Sequence, residues 1–176
     1  MLVSIGRKQS ERGDARDLVA QLLDCHDRIR TFVALAKAAG ERADLPDAER
    51  SEACTRVARY FREALPLHVA DEEQSVWPRL RAHDAAVDRA LTEMHEQHEQ
   101  HAPKLQVLLA AAAQLEHRPS EVACQLALAQ AADALTVDFA EHLQLEETII
   151  FPAIRRVLSA ELQAEIMAEQ RKRSGV

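Results

Sequence analysis

The sequence predicts an all-α protein built as an up-down-up-down four-helix bundle with a short C-terminal helix. The first observation is composition: the 176 residues are rich in Ala, Leu, Glu, Gln and Arg but hold only four Gly, one Trp, one Tyr and four Phe, which favours helices. The second is periodicity, because four long stretches repeat apolar residues at the helical spacing and short polar turns join them. Long helices joined by short loops pack side by side around a shared interior.

The first two helices follow from apolar stripes at helical spacing. The first helix is predicted over residues 14–39, with Gly40 as its C-cap. The second is predicted over residues 47–82, with Pro66 inside it. Because proline lacks an N–H and its ring clashes with the preceding turn, we expect a kink at Pro66.

The third and fourth helices are separated by the breaker sequence HRPS. The third is predicted over residues 85–116 and the fourth over 121–158, with Ser120 as the N-cap of the fourth. Pro152 should bend or end the fourth helix. A short amphipathic helix is predicted over 159–173, starting from a serine N-cap.

The chain length suits one domain with a sizeable core. We expect residues 14–158 to form the bundle, residues 1–13 to be a flexible N-terminal segment, and residues 159–176 to be the C-terminal helix and tail.

Charge and cysteine content exclude several classes of protein. The net charge of −7, from 22 basic and 29 acidic residues, argues against a nucleic-acid or polybasic membrane surface. We find no signal peptide and no apolar run near the ~18 residues of a membrane span. The three cysteines lack short paired spacings, which argues against a disulfide framework and a cysteine zinc site. We therefore expect a soluble cytoplasmic protein without nucleic-acid or membrane partners.

One phrase occurs twice in the chain. Residues 68–80 read HVADEEQSVWPRL and residues 142–154 read HLQLEETIIFPAI, with His, Glu-Glu and Pro in the same register. We call these the first arm (68–80) and the second arm (142–154). A His and a Glu four residues apart lie on one face of a helix. The two arms are separated by about two helices with their loops, so they should lie at the same end of parallel helices and converge.

The simplest alternative for each arm is a surface ion pair between residues four apart. Two matched copies, each followed by an apolar segment and a proline, argue against that interpretation. Buried carboxylates cost several kcal/mol each unless a cation or hydrogen bonds compensate. A divalent metal is the simplest compensation, so the repeat indicates a metal-binding bundle.

The other two helices offer further imidazoles at this depth. His26 lies on the apolar stripe of the first helix, where a lone histidine is more often a core residue than a ligand. The third helix carries His95, His98 and His101, which could also form a surface run. His98 shares a stripe with the apolar residues that follow it, so we favour His98 as a ligand, with His95 and His101 competing for a second position.

Ligand chemistry narrows the choice of metal. Imidazoles and carboxylates without thiolates suit iron, manganese or zinc. Six or seven candidate ligands exceed what one tetrahedral zinc requires. They fit two metals that share bridging carboxylates, roughly 3.5–4 Å apart.

The segment LLDCHDRIRTF, the two arms and MHEQHEQH together resemble the hemerythrin-like (HHE cation-binding) domain over about residues 15–158. The resemblance implies a non-haem di-iron centre, oxo-bridged when oxidised, with one position open for O₂ or a related small molecule. It implies that Glu72 and Glu146 bridge the irons. Glu73 and Glu147 are interpreted as surface residues or as residues that hold ligand imidazoles through hydrogen bonds. The predicted metal ligands are His26, His68, Glu72, His98, His101, His142 and Glu146.

Three functions are consistent with such a site. The first is a binding module that takes up O₂ reversibly or senses O₂, NO or redox state. The second is a di-iron enzyme acting on peroxide or NO, or in the repair of iron centres; the spacing of three between His98 and His101, where oxygen carriers have four, keeps it open. The third is a structural bundle with an adventitious zinc or no metal, which the doubled phrase disfavours.

Overall fold

A computed structural model describes residues 17–175, which contain five helical stretches and no strand. The elements are α1 (Leu18–Glu41), α2 (Asp47–Arg59), α3 (Leu65–Asp71), α4 (Trp77–Leu80), α5 (Ala85–His117), α6 (Val122–Leu145), α7 (Phe151–Val157) and α8 (Ala160–Ser174). The predicted flexible segment 1–13 and the predicted helix start at residue 14 lie outside the described residues. Of the described helices, none is both long enough and apolar enough to cross a membrane.

The four long helices form the predicted bundle. Elements α2, α3 and α4 make one continuous stretch over 47–80, and α6 and α7 make another over 122–157. Helix α1 packs against α2 and α6, and α5 packs against the same two elements. The two arms therefore belong to helices that are diagonal to each other across the interior, with α1 and α5 on the other diagonal.

Single π-helical turns join the pieces of the second and fourth long helices. They cover Tyr60–Ala64, Glu72–Val76 and Glu146–Ile150, and in each case a proline follows two residues later. Proline has no N–H to donate and its ring clashes with the carbonyl four residues back. A widened turn before it lets the helix continue. At Pro66, where a kink is expected, the helix passes through a π turn. At Pro152, where a bend or an end is expected, the helix continues to Val157.

Gly40 does not cap the first helix, contrary to prediction. Helix α1 continues to Glu41 and its C-cap is Arg42. A Cβ built on Gly40 would lie 2.6 Å from the carbonyl oxygen of Gln125 and 2.8 Å from the backbone nitrogen of Ala129. The glycine therefore permits the close approach of α1 and α6.

Ser120 is not the N-cap of the fourth helix, again contrary to prediction. The N-cap is Glu121, which makes no side-chain capping hydrogen bond. The hydroxyl of Ser120 instead donates to Oδ2 of Asp47 at 2.5 Å, so it ties the loop before α6 to the start of α2.

The C-terminal helix is present where it is predicted. Oγ of Ser159 accepts from the backbone N–H of Leu162 at 3.3 Å, as an N-cap should. Helix α8 packs against α1 and α3 with Ile166 fully buried, and Arg173 pairs with Asp71. This helix closes one side of the bundle.

The interior consists of two apolar cores with a polar layer between them. The smaller core includes Leu18 and Leu22 of α1, and the larger core begins on the same helix at Ile29 and Val33. His26 lies between these two pairs and is fully buried. The other buried polar side chains of the layer are His68, Glu72, His101, His142 and Glu146.

Candidate metal centre

All four long helices contribute to the polar layer. Candidate ligand atoms form two groups, and within each group one atom from every residue lies within 4.8 Å of the others. The first group contains His26, His68, Glu72 and Glu146, and the second contains Glu72, His98, His142 and Glu146. The groups share both carboxylates, so they outline two adjoining candidate cation positions.

Each carboxylate presents one oxygen to each group. Oε1 of Glu72 lies 3.2 Å from Nε2 of His68, whereas its Oε2 lies 3.4 Å from Nε2 of His98. Oε2 of Glu146 lies 2.9 Å from Nε2 of His26, whereas its Oε1 lies 3.2 Å from Nε2 of His142. The two arms are thus arranged so that a single carboxylate can contact a cation in either position.

Many of these buried atoms lack hydrogen-bond partners. Neither oxygen of Glu72 or Glu146 makes a hydrogen bond, nor does Nε2 of His26, His68 or His98. Buried polar atoms are normally satisfied, and an unpaired buried carboxylate is costly. Divalent cations would satisfy all of these atoms at once, and a set of imidazole nitrogens and carboxylate oxygens suits iron, manganese or zinc. The residues present therefore fit a metal.

The second glutamate of each arm holds an imidazole from a neighbouring helix. Nδ1 of His26 lies 2.8 Å from Oε1 of Glu147, and Nδ1 of His98 lies 2.9 Å from Oε1 of Glu73. With Nδ1–H as donor, each contact turns Nε2 toward the shared carboxylates. The interpretation of Glu73 and Glu147 as residues that hold these imidazoles is confirmed.

Outer partners support these contacts, and two of them, Arg30 and Gln97, could not be identified from sequence patterns. Nη2 of Arg30 donates to Glu147 at 2.7 Å, and Nδ1 of His95 lies 2.9 Å from Glu73. Nδ1 of His142 lies 2.9 Å from Oε1 of Gln97. Arg30 lies one turn after His26 and Gln97 lies beside His98, so only the packing of the helices identifies their roles.

The four imidazoles of the two groups differ in charge. Burial lowers the pKa of His68 and lowers that of His142 to about 3. Burial also disfavours protonation of His26 and His98, but attraction to the neighbouring glutamates outweighs it. They raise the pKa of His26 to about 10 and that of His98 to about 9. Without a metal, protons on these two imidazoles balance part of the carboxylate charge.

The two shared carboxylates also differ. Burial, reinforced by repulsion from Glu72, raises the pKa of Glu146 to about 8. Burial acts in the same direction on Glu72, but His68, His26 and His98 outweigh it and hold its pKa well below the usual range. Because like charges repel, two carboxylates buried beside each other resist being ionised together. A divalent cation would remove that resistance.

Two predicted positions of the third helix lie outside both groups. The side chain of His95 is 42% exposed and its ring packs against Trp77, with centroids 5.2 Å apart. His101 is buried, and its ring lies 5.0 Å from the ring of His142 and 4.9 Å from that of Phe139, centroid to centroid. The ligand role predicted for His101 remains a prediction.

A cavity of about 30 Å³ adjoins the layer. Its lining consists of Ile29, Leu65, His68, Val69, His98, His101, Leu105, Phe139 and His142. A space of that size holds about one water or one diatomic molecule. It lies beside imidazoles of both groups, so a small guest there would be next to either cation position.

Fold and site together define the class of protein: a helical bundle whose buried histidines and glutamates could hold metal cations. The chain belongs to the hemerythrin family, because the model of the hemerythrin HHE cation binding domain matches residues 17–154. The resemblance stated from the sequence motifs is confirmed. No curated protein matches the chain.

Proposed function

We propose that the polar layer holds two iron ions and that the protein binds O₂ there, or senses O₂, NO or redox state. The observation that carries this proposal is the pair of adjoining ligand groups with both carboxylates in common. A single tetrahedral zinc would use four of these six side chains and leave the others buried without partners. Membership of the cation-binding hemerythrin family supports iron over an unrelated metal.

Each ion would be held by two imidazoles and by one oxygen of each carboxylate. His26 and His68 would hold one ion, His98 and His142 the other, and Glu72 and Glu146 would bridge them. When bound, the iron pair supplies a redox-active centre with positions open to a small molecule, because four protein donors do not fill the coordination of iron. The adjoining cavity supplies the space for that molecule.

The protein residues orient the ligands and limit access. Glu147 and Glu73 set the direction of two imidazoles through Nδ1. Apolar walls from Ile29, Leu65 and Phe139 border the cavity, and they disfavour water and large polar substrates. This enclosure favours O₂, NO or peroxide as the molecule that reaches the centre.

An enzyme that acts on peroxide or NO, or that repairs iron centres, is the second candidate. One observation favours it: of the third-helix histidines, only His98 joins a ligand group among the described residues. A centre with fewer protein ligands has more open positions, which favours reaction over reversible binding.

Metal analysis with an optical spectrum of the air-oxidised protein tests the proposal. We expect about two irons per chain and the absorption bands of an oxo-bridged ferric pair. A reduced protein whose oxygenated spectrum reverses on deoxygenation would support binding, whereas rapid autoxidation with turnover of peroxide or NO would support the enzyme. Zinc alone, or one metal per chain, would contradict both.

The three free cysteines support a reducing cytoplasmic location.

A further inference from the structure

We infer that His101 binds the small molecule in the cavity through a hydrogen bond and does not ligate a metal. This inference rests on the proposed function, since it concerns the molecule that would occupy the cavity beside the iron pair. It assigns to the third helix one metal ligand, His98, and one residue that selects the guest.

The position of His101 separates it from the metal ligands. Each of the other four imidazoles of the layer has Nε2 within 4.0 Å of an oxygen of Glu72 or Glu146. Within residues 17–175, His101 makes no such contact with either carboxylate. It follows His98 by three residues, so it lies just under one turn further along α5 and points about 60° away from His98 around the axis. That step moves its ring away from the carboxylates and toward Phe139.

The cavity surrounds His101 with groups that do not compete for its nitrogens. Three lining residues are imidazoles of the two ligand groups, and five are apolar: Ile29, Leu65, Val69, Leu105 and Phe139. His101 is therefore the one polar lining residue that is left over once the ligand groups are assigned. Its ring makes T-shaped contacts with the rings of His142 and Phe139, which hold the imidazole in place.

His101 also lacks a partner that would explain its burial. It is 5% exposed, and in the part of the chain that the structure describes it makes no hydrogen bond or ion pair. Buried imidazoles normally have at least one hydrogen-bond partner. A guest with a terminal acceptor atom, placed in the cavity, would supply that partner and accept from the ring N–H.

The chemistry of this contact defines the class of guest. Dioxygen, nitric oxide and peroxide present a terminal acceptor and fit a cavity of about 30 Å³, and azide presents the same kind of terminal acceptor at one end. A single neutral hydrogen bond contributes modestly to affinity, so we expect it to change binding about five- to tenfold. It would favour guests that become more negative on binding, because they accept more strongly.

Azide binding to the iron-loaded, oxidised 176-residue chain tests the inference. The variants are His101→Leu, which removes the donor, and His101→Gln, which keeps an amide donor. We expect both to retain two irons per chain. We expect the azide dissociation constant to rise about five- to tenfold in His101→Leu and to stay within about twofold in His101→Gln. Transfer to D₂O should shift the infrared stretch of bound azide in the unmodified protein and not in His101→Leu.

Leu105→Ala is the matched control, because it reshapes the same cavity without removing a donor, and its D₂O shift should persist. Loss of an iron in both His101 variants would show that His101 is a ligand and would overturn the inference. Two irons with unchanged azide affinity and an unchanged D₂O shift in His101→Leu would also overturn it. If the unmodified chain does not load two irons, the proposed function itself fails, and the inference fails with it.

Discussion

The two arms repeat one sequence phrase but are completed differently by the helices on either side. Both begin a π turn at the shared glutamate, Glu72 or Glu146, and both use the following glutamate to hold an imidazole. The pKa of Glu72 is held low by three imidazoles, whereas burial and repulsion from Glu72 raise the pKa of Glu146 to about 8. The repeat thus sets the ligand geometry, and the non-repeated helices set the charge.

The residues that pair with the second glutamate of each arm also differ. In the second arm, Glu147 is paired with Arg30, a permanent cation. In the first arm, Glu73 is paired with His95, whose side chain is 42% exposed. Asymmetry of this kind would make the two candidate cation positions chemically distinct.

The largest expected effect comes from removing either shared carboxylate. Glu72→Gln or Glu146→Gln should lower the iron content from two per chain to one or fewer, because each carboxylate faces both ligand groups. Elemental analysis after anaerobic reconstitution with ferrous iron measures this. Glu73→Gln is the neighbouring control and should keep two irons. Retention of both irons in either of the first two variants would contradict the bridging role.

In the metal-free protein, the same two substitutions should change the free energy of unfolding by different amounts. Burial and repulsion from Glu72 raise the pKa of Glu146 to about 8 and so favour its neutral form, which glutamine resembles. We expect Glu146→Gln to change the free energy of unfolding by less than about 1 kcal/mol. Glu72→Gln leaves protonated imidazoles without their buried counter-charge, which costs about 3 kcal/mol. Urea unfolding of the chelator-treated variants checks the difference, and equal losses would refute it.

The pH dependence of the metal-free protein should show a maximum near pH 6.5. His26 and His98 have pKa values raised to about 10 and 9, so their stabilisation is complete below about pH 6.5 and is lost as pH rises through those values. His101 and His142 have pKa values lowered to about 4 and 3, so the folded state resists their protonation. The folded state therefore loses stability as the pH falls below about 6.5. The raised pKa of Glu146 opposes part of the acid-side loss.

Urea unfolding at pH 5, 6.5 and 9 measures this profile, with the iron-loaded protein as control. Metal binding replaces the protons on His26 and His98, so the alkaline decline should disappear on loading. If the metal-free and loaded proteins lose stability equally between pH 6.5 and 9, protons on these imidazoles do not balance the buried carboxylates.

The fold and the site geometry were predictable wherever helical periodicity decides them. The spacing of four between His68 and Glu72 puts both on one face, and repetition in a parallel helix makes the two faces converge. Periodicity could not separate His98 from His101, because residues three apart share a face and only the depth of α5 decides which reaches the carboxylates. The role of Gly40 and the partner of Ser120 depend on contacts with distant segments, which local cap patterns do not report.

The π turns could be predicted only in part from the sequence. Each precedes a proline, so the prolines marked where the helix had to change, but the sequence predicted a kink or an end and not a widened turn. Since Glu72 and Glu146 begin two of these turns, the turns belong to the site, as π turns often do.

The smallest expected effect concerns the outer partners of the two arms. Arg30→Gln removes a permanent cation from Glu147, but the Arg30 side chain is 47% exposed, so solvent screens the pair. We expect iron affinity to fall about threefold, less at high salt. His95→Gln keeps an amide donor to Glu73 and should change affinity by less than about twofold. Competition with a chelator of known affinity measures both.

A double-mutant cycle makes this last comparison decisive. If Arg30 acts on the centre only through Glu147 and His26, Arg30→Gln should have no further effect in a Glu147→Gln background, because the carboxylate it pairs with is gone. His95→Gln should likewise be silent in a Glu73→Gln background. Additive losses in either cycle would mean that the outer residue reaches the iron by another route. In that case the contacts of Arg30 with Glu147 and of His95 with Glu73 would not be what makes the two candidate cation positions unequal.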